Sequence, residues 1–141
     1  YRVKLDTNGM LGAKLAALLG SPESRPDFVA LDLKTSPRRY RDFSGAIPDP
    51  ESELFRSIGL VSGLPPESRE FRTVLVPGLV GLREITEIAA LIPKDAAWFF
   101  APFRNQGCLD PAYNDVPPYS DGEAQDLVSA AAALIPGARL R

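Results

Sequence analysis

The sequence predicts an α/β domain built from parallel β/α units, and three observations carry that prediction. Short apolar runs alternate with longer segments whose apolar residues recur at helical spacing. Phe28–Leu31 is a short continuous apolar run that stops at the acid Asp32 and the base Lys34, as expected of a strand buried on both faces of a parallel sheet. Each strand-like run is separated from the next by a helical segment, the order that right-handed crossovers produce.

Taking the elements in order, Arg2–Asp6 alternates polar and apolar residues and reads as a strand, broken by Thr7-Asn8-Gly9. Met10–Leu19 places Leu11, Leu15, Leu18 and Leu19 on one helical face before Gly20 and Pro22 stop it. The second strand, 28–33, follows. Thr35–Tyr40 reads as a helical turn with Ser36 as cap and Pro37 at its first position. After a loop over Ser44–Pro48, Asp49-Pro50 repeats that start signal for a helix with Leu54, Phe55 and Ile58 on its apolar face. Ser62–Arg69 reads as loop and Phe71–Val76 as the third strand, closed by Pro77-Gly78. A helix over 82–92 buries Leu82, Ile85, Ile88, Ala89 and Ile92. Ala96–Phe103 is a fourth strand, and a Pro-rich loop runs from Arg104 to Tyr119. Ser120 and Glu123 form a capping box for the last helix, with Ala124, Leu127, Val128, Ala131, Leu134 and Ile135 on one face. Ala138–Leu140 is read as a short final strand. A closed eight-stranded barrel needs roughly 200 residues or more, so these 141 residues make half of such an object or a small open sheet.

Residues 1–141 suffice for one domain with its own core. The net charge of −2 comes without charge runs or a basic stripe, so no nucleic-acid partner is expected. No apolar stretch approaches the ~20 residues that span a bilayer, so no membrane partner is expected, and no leader pattern is seen. The chain opens at Tyr1 inside a strand-like run and is read as a fragment. The single cysteine, Cys108, excludes an internal disulfide and any cysteine-only metal or iron–sulfur site. The lack of histidine excludes a Ser-His-Asp hydrolase and a His-bound zinc enzyme. A reduced, cytoplasmic compartment is expected.

Four strand ends carry the candidate chemistry: Asp6-Thr7-Asn8-Gly9, then Asp32 and Lys34, then Pro77-Gly78, then Pro102-Phe103-Arg104-Asn105-Gln106. In a parallel sheet all four lie along one rim, where ligands of such sheets bind. Asp32 and Lys34 are two apart and point to the same side of an extended strand. Asp6, Thr7 and Asp32 offer hard oxygen ligands suited to a ribose hydroxyl or a small hard cation. Lys34 suits a substrate carboxylate, the alternative being an internal salt bridge to Asp32 or Asp6. Gly78 lets the backbone approach a flat ligand, or simply turns the chain into a helix. Trp98, Phe99 and Phe100 read as core, with Phe103 alone sent toward a ligand. Arg38, Arg39 and Arg72 read as solvated and Cys108 as an incidental loop residue. No glycine-rich phosphate loop is present.

In order and spacing, LDTNG (5–9), DFVALDLKTSPRRY (27–40), FRTVLVPGL (71–79) and FFAPFRNQGCLDPAYNDVPPYSDGEAQDL (99–127) resemble the radical S-adenosylmethionine (SAM) activating enzymes of glycyl radical proteins. The likeness is greatest to the anaerobic ribonucleoside-triphosphate reductase activating protein, then to the pyruvate formate-lyase activating enzymes. It covers nearly the whole chain but only the carboxyl-terminal half of such a protein. It implies the C-terminal half of a partial (β/α)6 TIM-like barrel that binds SAM and a 4Fe–4S cluster. One-electron reduction then cleaves SAM to a 5′-deoxyadenosyl radical that takes a hydrogen from a glycine of the partner enzyme. Flavodoxin or ferredoxin would supply the electron. The resemblance places Asp6, Thr7 and Asn8 near the ribose and amino-acid end of SAM, and Lys34 on its carboxylate. It places Val76, Pro77 and Gly78 beside the adenine, closed over by Phe103 and Arg104, and lets Asp6, Thr7 and Asp32 hold a monovalent cation. The cluster-binding CxxxCxxC motif and a GGEP-like motif lie upstream in that family and are not present here. The chain alone is therefore expected to be inactive, with exposed sheet edges that favour self-association. The alternative is a stand-alone half-barrel module binding a nucleotide-like ligand or a partner protein.

Overall fold

A computed structural model describes residues 1–42, 45 and 47–141. Its elements run β1 (Lys4–Thr7), α1 (Gly12–Gly20), β2 (Phe28–Asp32), α2 (Pro50–Ser62), β3 (Arg69–Leu75), α3 (Leu82–Ala89), β4 (Trp98–Pro102), α4 (Asp121–Leu134) and β5 (Ala138–Leu140). Short 3-10 turns lie at Pro37–Asp42, Pro66–Ser68 and Pro111–Asp115. Of the loop expected over 44–48, Ser44 and Ala46 lie outside the described residues.

The five strands form one sheet in the order β1-β2-β3-β4-β5, every neighbouring pair parallel. The fold is thus α/β, with helices between parallel strands as the sequence predicts. Sequential order means that each right-handed crossover steps one place in the same direction, which gathers the helices on one side. Alternation along the strands then separates two faces. Val29, Leu31, Phe71, Trp98 and Phe100 are fully buried on the helix side. There Trp98 donates its indole N–H to Thr73 Oγ1 at 3.0 Å, satisfying the one polar atom of the largest core residue. By register, the other side presents Lys4, Asp6, Phe28, Ala30, Asp32, Glu70, Arg72, Val74, Phe99, Ala101 and Arg139.

Helix ends follow the capping chemistry read from the sequence. Asp49 accepts from Ser52 N at 3.3 Å, and Ser120 and Glu123 exchange the bonds of a capping box. Gly137 admits the chain to β5 because a Cβ there would overlap the Ala96 carbonyl.

Several expectations are corrected. β3 begins at Arg69, two residues before the predicted start, because two charged residues are buried by pairing. Arg69 bonds the carbonyls of Ser62 and Leu64 and pairs with Asp95 at 2.6 Å, while Lys4 reaches Glu70 at 2.8 Å. The helix read over 82–92 ends at Ala89. Leu11, Phe55 and Leu82, expected on apolar helix faces, are exposed, and Val61 and Ser57 are buried on α2 instead. Phe99, read as core with its neighbours, lies half-buried on the helix-free face.

Candidate functional site

On that helix-free face, side chains from β1, β2 and β3, with Lys34 after β2 and Arg141 after β5, make one ion-pair network. Arg72 is its centre. Its Nε donates to Asp32 Oδ1 at 2.8 Å, and its Nη2 lies 3.3 Å from Asp6 Oδ1. Burial works against its charge, but Asp32, by charge and hydrogen bond, then Asp6 and Glu70, outweigh that and raise its pKa above the usual arginine value. Glu70, with only 8% of its side chain exposed, lies beneath three cations: Lys4 at 2.8 Å, Arg141 at 3.7 Å and Arg72 at 4.0 Å. Such a carboxylate is tolerated there because it is paired several times over. Lys34 Nζ closes on Asp32 Oδ2 at 2.9 Å, so the internal pair weighed for Lys34 is present.

A cavity of about 320 Å³ opens against this network, lined by Asp32, Lys34, Arg72, Thr73, Val74, Phe99, Phe100, Ala101 and Arg141. Its size falls at the lower end of small-molecule sites. Five cations (Lys4, Lys34, Arg72, Arg139, Arg141) face three carboxylates (Asp6, Asp32, Glu70) on this side of the sheet. The chain as a whole carries net −2, so the positive excess is local and favours an anionic ligand.

The end of β2 is fixed from behind. Tyr40, 1% exposed, accepts the Lys34 backbone N–H on its phenol oxygen at 2.7 Å. Burial pushes that phenol up to about 12, and a nearby Asp32 charge adds to the rise, against backbone bonds that pull it down. With its backbone held, Lys34 presents its ammonium to the cavity.

The structure places the sequence-predicted residues as follows. Asp6, Asp32 and Lys34 meet through Arg72. Thr7 follows Asp6 on the strand and so projects to the opposite face, where its Oγ1 accepts from Gly9 N at 3.1 Å. Asn8 Oδ1 accepts from Met10 N at 3.1 Å, bracing the same turn. Val76, Pro77 and Gly78 follow β3 on the same rim, outside the cavity lining. Gly78 has φ +81°, a conformation that L side chains avoid. That loop is clamped: Arg39 donates to Gly78 O at 2.6 Å, Thr35 Oγ1 to Leu79 O, and Tyr119 OH to Val80 O at 3.0 Å. Arg39, read as solvated, is therefore a brace between two rim loops. Phe103 packs edge-on against Tyr113 at 6.4 Å, and Arg104 is exposed after β4.

Sequence reasoning missed Arg72, Glu70, Phe99, Arg139 and Arg141. Their signal was present as charge at alternate strand positions: Lys4-x-Asp6, Asp32-x-Lys34, Glu70-x-Arg72 and Arg139-x-Arg141.

For a 4Fe–4S cluster the residues do not fit. Thiolates are required, Cys108 stands alone, and no group of three or more His, Cys, Asp or Glu poised for a metal occurs among the described residues. For SAM the donor set fits in part: an ammonium beside a cavity for a carboxylate, and carboxylates for hydroxyls. Among the described residues no helix is long and apolar enough to cross a membrane. No protein-family model matches the chain, and no curated protein matches it.

Proposed function

We propose that this chain is the carboxyl-terminal half-site of a radical SAM activating enzyme acting on a glycyl radical protein. One observation supports this reading above the rest. A sequentially ordered parallel sheet leaves one face free of helices, where Asp32 and Lys34 line a cavity of about 320 Å³ and Asp6 joins them through Arg72. Those are the positions that the resemblance gives to SAM. In this reading the sheet is the second half of a partial (β/α)6 barrel, and the helix-free face is its interior.

Bound SAM supplies a carbon-centred radical when it is reductively cleaved; the cluster and the electron come from outside these residues. The chain's own part is binding and positioning. Lys34 takes the methionine carboxylate, exchanging its contact with Asp32 for one with the ligand. Asp32, held by Arg72, is freed to accept from a ribose hydroxyl. The clamped loop Val76–Gly78 offers bare backbone to the adenine edge, with Phe103 and Arg104 on the neighbouring rim loop. A monovalent cation at Asp6 and Asp32 would have to compete with Arg72 for the same oxygens. The partner is a glycyl radical enzyme of the ribonucleotide reductase or formate-lyase type, with flavodoxin or ferredoxin as donor, in the cytoplasm.

The test is production of the protein from its whole gene, reconstitution with iron and sulfide without oxygen, and titration with SAM. The reading expects a gene segment upstream of Tyr1 with three closely spaced cysteines, and saturable SAM binding. A start codon directly before Tyr1 would favour the second reading, a stand-alone module for a nucleotide-like ligand. What supports that alternative is a cavity lined within this chain alone. Sedimentation of the chain reads its edges: among the described residues β1 and β5 each pair on one side only, so self-association is expected.

A further inference from the structure

The guanidinium groups of the site are not equivalent. Arg72 is occupied by carboxylates of neighbouring strands, and Arg141 shares Glu70 with the closer Lys4. Arg139 makes no ion pair among the described residues and is exposed. Both Arg139 and Arg141 lie over one ring: their Cζ atoms are 4.4 Å and 5.1 Å from the Phe99 centroid. The cause is the register. Phe99 pairs with Arg139, and Arg141 follows two residues later on the same face, anchored by its N–H to Phe100 O at 2.8 Å. Stacking on an aromatic ring fixes a guanidinium's plane while leaving its edge N–H groups free to donate. Arg141 also lines the cavity, as does Lys34.

From this arrangement we infer that Phe99, Arg139 and Arg141 form an oxyanion subsite for the phosphate or carboxylate group of a small molecule. The two forks offer planar donors to a tetrahedral or planar oxyanion, and the ring sets their spacing. Among the described residues the one carboxylate paired with Arg141 is Glu70, shared with Lys4 and Arg72, which leaves positive charge uncompensated there. The subsite lies on β4 and β5, with β3 between it and the strands that carry Asp6 and Asp32, and stands whether or not SAM is the ligand at Lys34.

The experiment is a titration of the isotope-labelled chain with inorganic phosphate, and separately with acetate, at ionic strength held constant with sodium chloride. Backbone amide and arginine Nε–H resonances report the site. Saturable shifts at Phe99, Arg139 and Arg141 are expected with at least one anion, and the anion that binds more tightly names the source of the oxyanion. Arg139→Gln should weaken that binding, and Arg139→Gln with Arg141→Gln should weaken it about tenfold or more. The Trp98 indole resonance verifies that each variant is folded. Absence of a saturable shift at these residues with both anions, or unchanged binding in the folded double variant, would overturn the subsite.

Discussion

Asp32, at the end of β2, and Arg72, in β3, are register partners whose side chains meet at 2.8 Å. Cross-strand pairs of opposite charge on one face are the sheet's counterpart of helical i,i+4 pairs. Arg72 also reaches Asp6, so one guanidinium joins β1, β2 and β3 on the helix-free side. Arg72→Leu removes the cation shared by three carboxylates, Asp32, Asp6 and Glu70. With the side chain 24% exposed, the expected cost is about 1–2 kcal/mol, read as a lower urea midpoint. Lys34→Ala, at a more exposed position, should cost less than about 1 kcal/mol. Equal and negligible effects would show that Arg72 holds nothing together.

Tyr40 gives a signature at alkaline pH. Its folded pKa of about 12 lies above the ordinary 10, so the native phenol keeps a proton that the unfolded chain releases. The stabilisation from this shift is whole below about pH 10 and is lost as pH rises toward about 12, with a size of about 2–3 kcal/mol. Tyr40→Phe removes both the titration and the bond to Lys34 N. The stability gap between wild type and variant should therefore narrow across that window. A gap that stays constant with pH would contradict the buried, neutral phenol.

Trp98 and Thr73 test the helix-side core. Thr73→Val keeps the shape but leaves the indole N–H unpaired in a fully buried place. A loss of about 1–3 kcal/mol is expected, with a shifted Trp98 emission spectrum. No loss would mean that the indole finds another acceptor.

Gly137 and Gly122 make a contrast. A Cβ at Gly137 collides with the Ala96 carbonyl, whereas one at Gly122 meets nothing. Gly137→Ala should destabilise by about 2–4 kcal/mol, by forcing β5 away from β4. Gly122→Ala, in the first turn of α4, should be neutral or stabilising by about 0.5 kcal/mol. Melting temperatures of the two variants decide it.

Much of this architecture was legible because parallel strands are buried and read as apolar runs, and because caps such as Asp49 and Ser120 have fixed chemistry. The rim positions of Asp6, Asp32 and Lys34 followed from strand ends alone. What was hidden depended on partners distant in sequence. Glu70 falls between the loop read to Arg69 and the strand read from Phe71 until Lys4, 66 residues away, covers it, and Arg72 looks solvated until β1 and β2 bring carboxylates to it. Helix faces were over-read at Leu11, Phe55 and Leu82 because hydrophobicity alone does not say which side a short helix turns to its neighbour.

The central claim is that the helix-free face binds the carboxylate end of SAM through Lys34. SAM affinity of the reconstituted whole-gene protein, compared with its Lys34→Ala variant at equal cluster absorbance, tests it most directly. The expected result is binding about tenfold weaker or more in the variant, the size of a lost charge-assisted contact. Equal affinity with the cluster intact would contradict the assignment.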